Sequence, residues 1–161
     1  MDYRVRRLES VLFGTDRTRT WRALALAGVF VIVGAGVEYL TLITGFENEL
    51  LFELHQFFAL DGTALGLATR GAVIVVGLSA IQAYLNEGYL PSLLLGIAPA
   101  YGNRLWTIGS LDRIANLYLD PVSAAARTLP DGAILASFGF LLGIGIRWAL
   151  RRRQRNSSET S

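Results

Sequence analysis

Three stretches of about twenty residues, each with a single charge, constrain this chain more than any other feature. They run from Ala23 to about Thr44 around Glu38, from Thr63 to Leu85 around Arg70, and from Gly132 to Leu150 with Arg147 near the end. A helix rises about 1.5 Å per residue, so roughly 20 apolar residues match the ~30 Å hydrocarbon core of a bilayer. A fourth stretch, Tyr89 to about Tyr101, is shorter and carries Pro91 and Pro99. Taken alone it suits a re-entrant segment. At 52% hydrophobic and 17% charged residues, the chain is too apolar for an ordinary soluble domain.

The charges decide how the fourth stretch is read. Residues 1–22 hold six Arg and three acids, residues 147–161 hold five Arg and one acid, and residues 45–62 hold four acids and no base. Cytoplasmic flanks of membrane spans are enriched in basic residues. Both ends are therefore expected on the cytoplasmic side of the cell membrane, which requires an even number of crossings. Parity makes the third stretch a full crossing extending toward Ile108. The expected fold class is all-α: a polytopic membrane protein with a four-transmembrane-helix bundle and short interfacial helices. Its spans are about 23–44, 63–85, 89–108 and 132–150. A cytoplasmic basic arm, 1–22, precedes the membrane domain 23–150, and a basic disordered tail, 151–161, follows it. The arm lacks the small-residue cleavage pattern of a secretory signal, and its Asp2 to Phe13 stretch suits anionic headgroups.

The segment NELLFELHQFFAL, 48–60, places apolar residues at helical spacing opposite Glu49, Glu53 and Gln56. It reads as an amphipathic helix at the outer interface, ended by Asp61-Gly62. In the second outer connection, 103–131, Asp120-Pro121 has the grammar of an N-cap followed by proline at the first helical position. The pattern predicts a short helix over 122–129, stopped before Pro130, and another over 110–119.

Two charges stand out because charged groups within a span are costly and normally face a partner inside the bundle. Glu38 and Arg70 both fall about 10 to 12 Å below the outer interface in adjacent antiparallel spans, counting about 1.5 Å per residue. They form a candidate intramembrane ion pair, read either as a packing bridge or as part of a substrate or proton path. His55 and Asp61 are weaker candidates at the outer rim. His55 lies about 160° round an ideal helix from Glu49 and about 200° from Glu53, which speaks against a metal cluster there. Small residues recur at Gly28, Gly34 and Gly36, at Ala68 and Ala72, and at Gly139 and Gly143, as they do where membrane helices approach closely. Gly139-Phe-Leu-Leu-Gly143 serves either an internal contact or a seam between two copies. Trp21, Trp106 and Trp148 fall at expected span ends, where indoles favour the headgroup zone.

No cysteine is present and His55 is the only histidine, which excludes disulfides, thiolate catalysis, cysteine-ligated zinc and bis-histidine haem. No HExxH, GxSxG or phosphate-loop motif occurs. No catalytic residue, cofactor or metal is expected. The net charge of +2 gives no footprint for nucleic acid. The reading is of a non-enzymatic structural, assembly or accessory subunit. Its partners are the lipid bilayer and either other membrane subunits or a second copy. The alternative is a small-solute or ion transporter or channel subunit using Glu38, Arg70 and the proline-broken third span.

Overall fold

The structure, a computed structural model, describes residues 9–44, 47–58, 70–108 and 117–158. Five helices dominate it: α1 Arg17–Thr44, α2 Glu49–Phe58, α3 Arg70–Asn86, α4 Tyr89–Gly102 and α5 Pro121–Ser158. Two three-residue strands, β1 Trp106–Ile108 and β2 Leu117–Leu119, pair antiparallel with Thr107 opposite Tyr118. Among the described residues, α1 and the 121–155 portion of α5 are long and apolar enough to cross a membrane.

The fold is built around α4, which packs against α1, α3 and α5. Its sequence, YLPSLLLGIAPAYG, carries no charge, and nine of its fourteen residues are buried. Burial here rests on small side chains. Ala72, Val75, Ile97, Ala100, Leu135 and Ala136 form one core cluster between α3, α4 and α5, and Ala27, Leu95 and Ala98 form a second between α1 and α4. Large apolar residues face outward: Ile32 is 73% exposed and Ile134 69%, against 2% for Ala72 and 0% for Ala83. This arrangement inverts that of a water-soluble bundle, where the bulky aliphatic groups go inside.

Close approach is achieved at glycines. A Cβ on Gly34 would crowd the Pro99 carbonyl and the Asn103 amide, and one on Gly102 would overlap the Val31 carbonyl, so α1 and α4 meet backbone to backbone. On the far side, a Cβ on Gly139 or Gly143 would overlap the Val76 or Ala80 carbonyl of α3. The GxxxG motif of α5 therefore forms an internal contact. Gly28 and Gly36 have open space beside them, and Ala68 lies outside the described residues.

Helix limits differ from the sequence expectation in several places. The first helix begins at Arg17, six residues before Ala23, because Asp16 caps it: its Oδ1 accepts from the amides of Thr18 at 2.9 Å and Arg19 at 3.2 Å. The third segment does not extend as helix toward Ile108. It runs through Pro99 and ends at Gly102, where the Arg104 and Leu105 amides turn back to the Tyr101 and Gly102 carbonyls and the chain leaves at Asn103 for β1, which is held by pairing with β2. At about 21 Å, a fourteen-residue helix falls short of a ~30 Å core. Of the four expected spans, only those in α1 and α5 have the required length here, and the 63–69 part of the second lies outside the described residues.

The helix predicted to stop before Pro130 instead runs through it from Pro121 to Ser158. Proline removes one intrahelical bond, but packing on both sides, Ala124 and Thr128 before it and Gly132 and Leu135 after it, keeps the two halves in line. The same helix continues through Arg151–Arg155, where a disordered tail is expected, because arginine favours helix and Arg147 and Arg151 are anchored on Glu87. The 110–119 helix is corrected at its end, where 117–119 form β2; residues 109–116 lie outside the described residues.

Asp120 caps α5 as the sequence suggests. Its Oδ1 accepts from the Ser123 amide at 3.0 Å. This backbone bond, with the Ser123 hydroxyl and nearby Arg127, holds the carboxyl below its ordinary value. A depressed pKa contributes stability that is complete above the unfolded value and is lost as pH falls through the folded one. Amide exchange at Ser123 and Ala124 should thus stay slow down to about pH 4 and accelerate only below it. Asp120→Asn should remove this acid dependence.

The glycine contacts predict a contrast. Gly143→Ala and Gly139→Ala should each lower stability by about 1–3 kcal/mol, as overpacking does. Gly28→Ala and Gly36→Ala should be neutral or mildly stabilising, because alanine favours helix where nothing opposes its methyl. Thermal unfolding of the four variants in one detergent checks this.

Candidate functional site: a split charge cluster around helix α2

Helix α2 begins where Asn48 accepts from the Leu51 amide at 3.2 Å, an N-cap. The helix packs against both α1 and α3. His55 and Glu53 are two residues apart and so project about 200° from each other. One reaches toward each neighbour.

His55 Nδ1 stands 2.7 Å from Glu38 Oε2, with the two side chains only 18% and 12% exposed. The Nδ1 and Oε2 atoms stand at ion-pair distance without an aligned hydrogen bond, which makes the contact chiefly electrostatic. On the other side of α2, Arg70 donates to the Glu53 carboxylate, and its guanidinium lies 5.3 Å from the centre of the Phe57 ring. These two side chains are about half exposed.

The structure thus gives Glu38 and Arg70 different partners from the one the sequence suggests. Pairing them assumed that consecutive spans pack side by side. In the fold α1 lies mainly on α4, and at this end α2 stands between α1 and α3. Each intramembrane charge candidate is met by a residue of α2 instead. His55, a weak candidate in the sequence, becomes the partner of Glu38, while Asp61 lies outside the described residues. Among the described residues no three His, Cys, Asp or Glu side chains cluster as metal ligands. Close by on α1, Trp106 donates from Nε1 to the Ala35 carbonyl at 3.0 Å and packs on Tyr39 with ring centres 5.1 Å apart, tying β1 to this helix.

A second polar centre, at the opposite end of α3, is missed by the sequence reading. Asn86 is fully buried. Its Oδ1 accepts from the Asp16 amide at 2.9 Å, its Nδ2 donates to Thr20 Oγ1 at 2.8 Å, and its carbonyl accepts from the Thr15 amide at 3.2 Å. Gly14, at φ +89, brings residues 9–13 against it, and any Cβ there would overlap Asn86. Beside it Glu87, at φ +57, turns the chain from α3 into α4 and pairs with Arg147 at 2.9 Å and Arg151 at 3.4 Å. The available signal was the tripeptide Asn86-Glu87-Gly88, a turn sequence between two apolar runs. These contacts place residues 14–20 and 147–151 at one end of the bundle.

No family model matches the chain, and no curated protein or solved structure matches it.

The partner assignment is tested by two double-mutant cycles. Glu38→Gln with His55→Gln should show a coupling of about 0.5–3 kcal/mol, whereas Glu38→Gln with Arg70→Gln should be close to additive. Chemical or thermal unfolding of the single and double variants provides the measurement.

Proposed function

We propose that the chain is a non-enzymatic membrane protein acting as a structural, assembly or accessory subunit, with both termini on the cytoplasmic side. In this reading α1 and α5 are full crossings, and the α3–α4 hairpin is held between them. The end carrying Asn86 and Glu87 faces the cytoplasm, and the α2 cluster faces outward. Lipid forms the surroundings of the outward Ile, Val and Leu side chains. A second membrane subunit or a second copy is the expected partner.

The observation that carries this reading is the closure of the interior around α4. A conduit along a proline-broken helix requires carbonyls open to a polar path. Here the Pro99 carbonyl lies against Gly34, and Gly96 lies against Ser79 and the Val75 carbonyl. Three core hydroxyls are engaged as well, while the buried Thr128 hydroxyl makes no hydrogen bond among the described residues. Ser79 donates to the Ser92 carbonyl at 2.9 Å, Ser92 to that of Gly88 at 2.7 Å, and Thr41 to that of Val37 at 2.8 Å. The groove along α1, α4 and α5, about 410 Å³, is lined by Leu24, Val31, Leu93 and Ile97 and similar apolar residues. Such an interior favours rigid association over passage of a polar solute.

Affinity purification after gentle solubilisation tests the proposal. A protein partner or second copy in fixed stoichiometry is expected, and Pro99→Ala should leave that assembly intact. Purification as a lone chain that conducts ions in vesicles, with conduction abolished by Pro99→Ala, would overturn it.

A further inference from the structure

Among the described residues, the end of the bundle around Glu87 gathers more positive charge than its acids neutralise. Arg19 donates to the Leu85 carbonyl at 2.6 Å and contacts Asp16 at 3.2 Å. Arg147 donates to the Tyr84 carbonyl at 3.0 Å and reaches Glu87, which Arg151 also contacts. Three guanidiniums from two helices thus converge on Tyr84, Leu85 and Glu87, against two carboxylates. Exposed Arg22, one turn from Arg19, adds a further charge.

The anchoring has a physical origin. Tyr84 and Leu85 lie in the last turn of α3, whose carbonyls have no intrahelical partner and form the negative end of the helix dipole. Arg19 and Arg147 satisfy them. Each guanidinium has five donors in a rigid fork, and the Arg19 and Arg151 side chains are 53% and 60% exposed. Held on one side by the α3 terminus, they are preorganised to receive an anion on the other.

We infer that this arginine cluster binds the phosphodiester headgroup of an anionic membrane lipid between α1 and α5. The depth of the site selects a lipid over an acidic protein segment. Trp21 and Trp148, 71% and 56% exposed, flank it on the same two helices, and Arg152 lies 3.7 Å from the centre of the Trp148 ring. Exposed indoles of this kind settle at the headgroup level, where phosphates lie within reach of the arginines. The inference shares with the proposed function only the membrane setting. It holds whether the chain works alone or within an assembly.

The test uses the full chain in a neutral detergent, with phosphatidylglycerol or phosphatidylcholine added back and bound lipid counted by native mass spectrometry. Phosphatidylglycerol should bind several-fold more tightly, and each basic residue removed should weaken it about five-fold. Arg151→Gln and the Arg19→Gln/Arg151→Gln pair provide that series. Glu87→Gln discriminates further: removing the competing carboxylate should strengthen phosphatidylglycerol binding, whereas a purely structural role for the cluster would leave lipid affinity unchanged and only lower the melting temperature. Equal binding of the two lipids, an unchanged affinity in the double variant, or equal stabilisation by inorganic phosphate would each overturn the inference.

Discussion

Backbone-to-backbone contact at α4 is the constraint on which the rest of this structure depends. Helices in an apolar surrounding gain nothing from burying more hydrocarbon, because a lipid tail solvates leucine as well as another leucine does. Association then rests on dispersion contacts and on hydrogen bonds, and both require short distances. Gly34 and Gly102 supply these between α1 and α4, and Gly139 and Gly143 between α5 and α3. With small residues inside, the bulky aliphatic side chains are left to face outward. The same economy of volume lets a fourteen-residue helix sit wholly among three longer ones.

The polar groups follow from that packing. The last turn of a helix leaves carbonyls without an intrahelical partner, and the C-terminus of α3 shows how these are met. Arg19 and Arg147 bond to the carbonyls of Leu85 and Tyr84, and the Asn86 carbonyl is taken by the Thr15 amide. Asn86 adds both ends of its amide to the N-terminal segment, so one side chain joins the start of α1 to the α3–α4 turn. At the other end, α2 serves α1 and α3 by offering His55 to Glu38 and Glu53 to Arg70. The first contact is largely buried and the second about half exposed, and both run through α2. The interposed helix thereby becomes part of the bundle instead of a loose surface element.

This division explains how much of the site could be read in advance. That Glu38 and Arg70 each need a partner follows from the cost of a lone charge in an apolar setting, and each does have one. The identity of the partner depends on which helices are neighbours. Hydropathy alone makes consecutive spans adjacent, and the small residues that seat α1 on α4 override that order. His55 was legible as a residue near the rim, yet its role depends on the rotation of α2, which the Glu53–Arg70 contact on the opposite face helps to fix. Asn86 was illegible because Asn-Glu-Gly between two apolar runs reads first as a turn. Nothing local indicates that a segment seventy residues away will close on it.

The sequence by itself determined the helical character, the two long apolar helices, the amphipathic α2, the cap at Asp120 and the separation of basic ends from an acidic connection. These are set by residue type and spacing over a few turns, where periodicity and solvation act directly. Only the tertiary structure decided the partners of Glu38 and Arg70, the end of α4 at Gly102, the passage of α5 through Pro130 and the closure of Asn86 on the first helix. Each depends on contacts between residues distant in the chain, and a local preference such as a proline break or a turn propensity yields when packing on both sides supplies more than the local cost.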